Sequence, residues 1–479
     1  MTTISFLGAA RTVTGSRFLM MHNNVNILVD CGLFQGLKEL RRRNWEPFLI
    51  PASEIDCVIL THAHIDHSGL IPRLVRQGFR GPVICTKITR ELCEIMLKDS
   101  GFLQEEEARY ANRKGFSKHK PALPLYTVED AVNSMKYFKV VERNEFINLT
   151  PDIKFRFRNA GHILGSAIVE MWLQEQENRF KIVFSGDLGR LHAPILKDPD
   201  YIREADYLVL ESTYGDRLHP QGSPADELAP LVKEVHKNRS CLLIPAFAVE
   251  RTQELIYHFA KLSRENKIPD IPIFIDSPMA VEVTKLFEEH KEIYDEEANE
   301  QLEIDGRSIF RAPNVNFVSG QAESKSLNDR RGPMVIISAS GMATGGRILH
   351  HLKERLPDPR NIVLMAGYQA AGTRGRSLLD GAKTIKIHGD YVPVEAKITS
   401  ISSFSAHADY SEIIRWLKGI KKATPRVVFL VHGENDSLYS LSEKIKEQFR
   451  WTCYIPDYLE TVPLGSNLPP PPQVPTYVF

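Results

Sequence analysis

Apolar positions change their rhythm twice along the chain. From the N-terminus they alternate with polar ones in short runs closed by Gly or Asn: "TISFLGAA", "GSRFLMMHN" and "VNILVDCG". A period of two between turn formers predicts strands. "DCVILTHAH" is a solid apolar run that opens into polar residues, as expected of a buried strand feeding a loop. "SGLIPRLVRQG" has helical spacing, "PVICT" reads as a strand, and residues 88 to 113 combine helical spacing with high charge, the pattern of a solvated helix. Three strand–loop units follow: "IKFRFRNAGHILGSAIVEMWL", "FKIVFSGDLG" and "ADYLVLESTYGD".

From about residue 224 helices and strands alternate. "ELAPLVKEVHKN", "ERTQELIYHFAKLSRE", "AVEVTKLFEEHKEIYDEEANE" and "GRILHHLKERL" read as helices. "SCLLIPAF", "IPIFIDSP", "PMVIISAS" and "NIVLMAGY" read as strands. Strands separated by helices of that length imply a parallel sheet covered on both faces. Near residue 396 the first texture returns with "AKITSISSFSAHAD", then the helix "YSEIIRWLKGI", the strand "RVVFLVHG" and the helix "LYSLSEKIKEQFR". The division expected is a first domain begun by residues 1–210 and completed by 396–462, an inserted α/β domain over 211–395, and a proline-rich tail over 463–479 that lies extended or docks on the surface.

Composition narrows the setting. Lys+Arg and Asp+Glu balance at 60 each, so no global basic field announces nucleic acid, although a local basic cleft is compatible. Six cysteines without a CxxC pair suit reduced thiols and a cytoplasmic location. The N-terminus lacks the basic and apolar regions of a signal peptide, and no apolar run is long enough to span a bilayer, so no membrane partner is expected.

The chemistry concentrates in "LTHAHIDHSGLIP". His62, His64, Asp66 and His67 fall within six positions, directly after "CVIL". One histidine in a loop is ordinarily a surface residue; four ligand-type side chains so close are not. Histidine with carboxylate suits a borderline divalent ion such as zinc. In an extended stretch His62 and His64 share a face and can reach one ion, while Asp66 and His67, past the turn, can reach another. Four ligands are too many for one ion that keeps an open position, so a two-metal site is the better reading.

"HAHIDH" resembles the HxHxDH signature of the metallo-β-lactamase superfamily. Further landmarks follow in the family's order: Asp30 in "LVDCG", His162 in "NAGHILGS" and Asp187 in "FSGDLG". Glu211 in "LVLESTYGDR", His407 in "SFSAHAD" and His432 in "FLVHGE" resemble motifs A, B and C of its β-CASP branch. The resemblance implies an α/β fold: a metallo-β-lactamase αββα sandwich carrying an inserted β-CASP α/β domain. It also implies two zinc ions per chain, one held by His62, His64, His162 and Asp187, the other by Asp66, His67, Asp187 and His432. Asp66 and Asp187 would thus be ligands and catalytic carboxylates at once, and Asp30 would orient a ligand histidine from behind.

The implied activity is that of a zinc-dependent ribonuclease, hydrolysing single-stranded RNA with a water activated between the ions. His407 would protonate the leaving oxygen and Glu211 would orient it. In this branch a histidine at motif C accompanies RNA, whereas DNA-acting members carry an apolar residue there. The competing readings are a hydrolase of thioester, lactone or DNA phosphodiester on the same scaffold, which would lack the insertion or the motif-C histidine, and an RNA-binding scaffold, which would have lost a ligand.

Substrate contacts are less sharply marked. In "VIISASGMATGGRILHHL" a small-residue loop opens a helix, so Ser338, Ser340, Gly341 and Met342 either cradle an RNA phosphate or form a tight turn. Arg347 and Arg374 are further phosphate partners to test, and Phe247 and Tyr368 are aromatic candidates for base stacking. "LRRRN" at 40 to 44 is a solvated face or an extension of the RNA track. The apolar stripe of "AVEVTKLFEEHKEIY" is core or a homodimer surface. His219, soon after motif A, is the other histidine of interest; His119, His258, His290, His350, His351 and His388 read as structural.

Overall fold

The alternating N-terminal runs Thr2–Phe6, Phe18–His22 and Val25–Val29 pair antiparallel, and the chain continues from them into a mixed sheet. The computed structural model describes residues 2–465 apart from 116–118, 176–177, 221, 307, 368 and 402. Tyr368 and the proline-rich tail from residue 466 onward therefore lie outside the described residues.

Two seven-stranded sheets stack face to face. The first runs in the order Thr461–Leu464, Thr2–Phe6, Phe18–His22, Val25–Val29, Cys57–Ile59, Val83–Cys85, Phe138–Val140. The second runs Cys453–Tyr454, Val427–Val431, Tyr207–Glu211, Asn178–Phe184, Ala167–Glu175, Ile153–Asn159, Ile147–Thr150. Inward-facing positions such as Phe6, Phe18, Phe155, Phe157, Phe184 and Phe429 fill the space between them. Helices Ile71–Arg76 and Lys87–Lys114 bury apolar side chains on one outer side, and Tyr410–Leu417 and Asn435–Phe449 on the other, completing an αββα arrangement. Lys87–Lys114 is solvated only in part: Ile88, Leu92, Cys93, Met96 and Leu97 sit in the core.

The third sheet has six strands, all parallel, in the order Val315–Val318, Ile273–Asp276, Met334–Ser338, Cys241–Pro245, Ile362–Met365, Lys397–Ser400. Its central strands are buried along their whole length, which explains their unbroken apolar runs. Lys397–Ser400, just past the boundary expected at 395, pairs with Ile362–Met365 as the edge strand of this sheet. Lys397–Ser400 is an exposed to half-buried edge strand, so its run lacks the unbroken apolar character of the central strands.

Another expectation changes at "AVEVTKLFEEHKEIYDEEANE". The helix Pro278–Glu289 stops at His290, and a second helix, Glu296–Asp305, starts where the Asp295 side chain accepts the Ala298 amide at 2.7 Å. Apolar spacing continues through the break, so periodicity alone misses it. Ala280, Val283 and Phe287 of the stripe are buried in the core, which answers the choice between core and dimer surface.

The topology positions the site. Asp30, the His62–His67 loop, Asp187, Glu211 and His432 each sit at or just past the carboxyl end of a strand, and His162 joins Ile153–Asn159 to Ala167–Glu175 at that same edge. Lys397–Ser400 of the third sheet runs directly into the segment that carries His407. Asp30 and His432 turn at φ of 60° and 51°. Non-glycine residues hold that conformation only where the surroundings fix it, at a cost of about 1–3 kcal/mol each. Here the Asp30 amide donates to the Ile59 carbonyl at 3.0 Å and the His432 amide to the Ala9 carbonyl at 2.7 Å.

Candidate metal centre

Seven side chains expected to hold metal converge on two points. At the first, His64 Nδ1 lies 3.2 Å from His62 Nε2 and 3.2 Å from His162 Nε2. Asp187 Oδ2 lies 3.4 Å from His62 Nε2 and 3.5 Å from His162 Nε2. At the second, His67 Nε2 is 3.3 Å from His432 Nε2 and 3.3 Å from Asp187 Oδ1, and His432 Nε2 is 3.4 Å from Asp66 Oδ2. The two carboxylate oxygens of Asp187 thus face different clusters.

These separations test whether a metal fits. A tetrahedral ion with bonds of about 2.0–2.1 Å sets its ligand atoms about 3.3–3.4 Å apart, which is the spacing found. Asp187 Oδ1 is buried and among the described residues has no hydrogen-bond partner, a costly state for a carboxylate oxygen unless a cation faces it. The residues present fit zinc at both points.

Electrostatics agree with that donor set. Burial, with the neighbouring His67 ring second, lowers His62 to about 3; burial lowers His64 to about 4 against the pull of Asp66 and Asp187. Burial, joined by the His407 charge, carries His162 well below its ordinary value. All three rings are therefore neutral donors near pH 7. His67 differs: burial pulls it down, but the carboxylates of Asp187 and Asp30 outweigh burial and raise it well above its ordinary value. A cation binding there must displace a proton. Burial pushes Asp66 and Asp187 up, but the surrounding histidines, His432 foremost, hold both carboxyls below the usual carboxylate range.

Behind the ligands lies an orienting layer that sequence reasoning caught only in part. Asp30 was expected, and its Oδ2 is 2.8 Å from His67 Nδ1. It also accepts the Thr61 amide and hydroxyl at 2.8 and 2.9 Å. Thr61 Oγ1 in turn lies 3.0 Å from His62 Nδ1. His162 Nδ1 lies 3.2 Å from the Ala406 carbonyl, which can only accept, so its Nε2 is left with the lone pair. The carbonyl of Ala406 leaves no signature in a sequence.

His407 stands beside this centre. Its Nδ1 is 3.1 and 3.2 Å from the two oxygens of Glu211, and its ring centroid is 4.4 Å from that of His162. Burial lowers the ring; the Glu211 carboxylate, helped by the charges of Asp187 and Asp66, overcomes burial and raises it to about 9. Its side chain stays 19% exposed while Glu211 is fully covered. His219 supports the loop: its Nε2 is 2.9 Å from the His407 carbonyl, and its amide donates to Asp409 Oδ2 at 2.9 Å.

The expected phosphate loop is mixed. Ser338 does not serve there: it is buried, and its hydroxyl donates to the Asp276 carbonyl at 2.8 Å. Ser340 Oγ instead accepts the Thr344 amide at 3.0 Å and so shapes the turn. Among the described residues the amides of Gly341 and Met342 donate to no protein acceptor. Arg347 is committed to Asp276 Oδ1 and the Ser319 carbonyl, both at 2.7 Å, and Arg374 to the Lys386 carbonyl at 2.7 Å. Both arginines brace the loop. Phe247 is 38% exposed and its ring is seated on Gly341, where a Cβ would come within 2.7 Å of it. In "LRRRN", Arg43 stacks 3.9 Å over the Tyr458 ring while Arg41 and Arg42 are exposed.

Comparison with known families accounts for this combination. The metallo-beta-lactamase superfamily matches residues 13–212, the Beta-Casp domain residues 252–378, and the Zn-dependent metallo-hydrolase RNA specificity domain residues 391–456. The chain belongs to the β-CASP branch of the metallo-β-lactamase superfamily. Ribonuclease TTHA0252 of Thermus thermophilus is 38% identical over 437 residues, covering 91% of this chain and 94% of that protein. Transcription termination factor FttA of Methanocaldococcus jannaschii is 30% identical over 469 residues, covering 96% of this chain and 71% of the relative. The crystal structure of a protein of unknown function from Enterococcus faecalis V583 matches with a TM-score of 0.50 at 14% identity, over 96% of this chain and 99% of that one, a likeness of fold alone. The β-CASP enzyme is thus a metallo-hydrolase by family. Among its described residues no helix is long and apolar enough to cross a membrane.

Proposed function

We propose that this β-CASP protein is a two-zinc ribonuclease that hydrolyses phosphodiester bonds of single-stranded RNA. The observation that carries the reading is the placing of His407, held by Glu211 and partly exposed, next to two ligand sets that share Asp187. The RNA specificity domain spans both His407 and His432, and a relative 38% identical bears the name ribonuclease; both support RNA as substrate. Six buried, unpaired cysteines support a reducing, cytoplasmic setting.

Each residue then has a task. His62, His64, His162 and Asp187 would hold one ion, and Asp66, His67, His432 and Asp187 the other. The chemistry supplied by bound zinc is Lewis acidity toward the phosphoryl oxygens and toward the attacking water. Asp187 presents one oxygen to each ligand set and fixes their separation. Asp30 and Thr61 keep His67 and His62 in their ligand orientation. Glu211 keeps a proton on His407 Nδ1, so the other ring nitrogen can deliver its own proton to the departing 3′ oxygen. Gly341 and Met342 offer amide donors to a backbone phosphate, and Phe247 a ring for a base.

The test is incubation of the zinc-loaded protein with end-labelled single-stranded RNA and matched DNA, with product mapping. RNA should be cut, DNA left intact, and His407→Asn should lose most of the RNA cleavage. Equal cutting of DNA would overturn the substrate assignment, and wild-type rates from His407→Asn would overturn the acid. The product ladder separates internal from terminal cleavage.

A further inference from the structure

The strands Tyr207–Glu211 and Val427–Val431 run parallel with Glu211 opposite Val431. Residues just past their ends are therefore neighbours, and the Ser212 amide donates to the His432 carbonyl at 3.3 Å. Thr213 lies in this junction, 6% exposed, between the side chains of Glu211 and His432. Its Oγ1 is 2.6 Å from Glu211 Oε2 and 3.1 Å from His432 Nδ1.

A hydroxyl has one proton to give and lone pairs to receive. A carboxylate oxygen accepts, and the Glu211 contact is the shortest the hydroxyl makes; the His432 carbonyl, at 3.2 Å, is the longer alternative. The Thr213 proton therefore goes to Glu211. What Oγ1 has left for His432 is a lone pair, so Nδ1 must carry hydrogen and donate. A neutral imidazole with hydrogen on Nδ1 keeps its lone pair on Nε2. That is the nitrogen facing Asp66 and His67.

We propose that Thr213 is a positioning residue that fixes His432 as an Nε2 ligand and ties that ligand to the Glu211–His407 pair. Glu211 then sets the geometry of both histidines: His407 directly, and His432 through one hydroxyl. The inference rests on the two-ion reading, since it concerns the second ligand set alone. The corresponding brace of the first set, the Ala406 carbonyl on His162, is a separate contact that Thr213 does not touch.

The experiment is zinc titration of the metal-free full chain against a competing chelator, with the visible spectrum of the Co2+-loaded protein as a second readout. Wild type should bind two ions. Thr213→Val keeps the side-chain shape without the hydroxyl. It should bind the first ion unchanged and the second about 10–100-fold more weakly, with an altered Co2+ spectrum for that site. Thr213→Ser restores the hydroxyl and should restore both readouts. A Thr213→Val protein with wild-type affinity for both ions would overturn the inference, as would a Thr213→Ser protein that behaves like Val. If Thr213→Val fails to fold by circular dichroism, Thr213→Ala replaces it, and full second-site affinity there is equally fatal. A wild type that binds one ion would instead refute the two-ion reading itself.

Discussion

The two ligand sets share a carboxylate yet are built differently. The first draws His62, His64, His162 and Asp187 from one stretch of the chain, and burial leaves its three rings as neutral donors. The second combines Asp66 and His67 with His432, which lies 365 positions beyond His67. Its His67 is pressed between two carboxylates and must give up a proton to bind a cation. The first set thus depends on the sandwich's own loops, and the second on the chain returning after the inserted domain. Burial alone is no mark of a metal site: His258 is also buried and lowered to about 4, yet among the described residues neither of its ring nitrogens meets a hydrogen-bond partner. Convergence distinguishes the ligands.

The largest break in this comparison should come from Asp187→Asn, which keeps the volume and removes the charge both sets share. Metal analysis should fall from two ions per chain to none, and RNA cleavage to background. A variant that still holds both ions would show that Asp187 does not bridge. A smaller effect separates the sets. His432→Ala should leave one ion bound and His64→Ala should leave the other, each with its own Co2+ spectrum. Loss of both ions from His432→Ala would mean that the first set cannot stand without the second.

The smallest effect concerns His258. In the folded chain burial holds His258 at about 4, while an unfolded histidine titrates near 6.5. Below 6.5 the unfolded chain takes up a proton that the folded chain refuses until about 4. Stability is therefore whole above 6.5 and lost as pH falls through that window, by about 2 kcal/mol at pH 5. His258→Leu removes the titrating group. The thermal midpoint of the metal-free protein should then drop less between pH 7 and pH 5 than in wild type. An equal drop would place the acid sensitivity in the ligand histidines.

Legibility in the sequence followed chain distance. His62, His64, Asp66 and His67 were readable as ligands without any family comparison, because alternation in a short loop fixes which side chains share a face. His162, Asp187 and His432 were readable only through resemblance, since nothing local about one histidine after a strand marks it. Ser338 was misplaced for a similar reason. A small-residue loop looks alike whether its hydroxyls face a phosphate or, as here, brace a neighbouring strand at Asp276. The break after Glu289 was missed because apolar spacing continues across it, and Lys397–Ser400 because a half-exposed edge strand lacks the unbroken apolar run of the central strands.

By itself the sequence determined the class of the fold, the ligand types and the order in which they arrive. Those follow from local period and side-chain chemistry, which a chain carries wherever it goes. Only the tertiary structure decided which oxygen of Asp187 meets which set, which nitrogen of each histidine faces inward, and that Thr213 stands between Glu211 and His432. Thr213 and His432 are 219 positions apart. A hydrogen bond across that distance depends on strand register and on atomic separations within a few tenths of an ångström, and neither is written in the residues that make it.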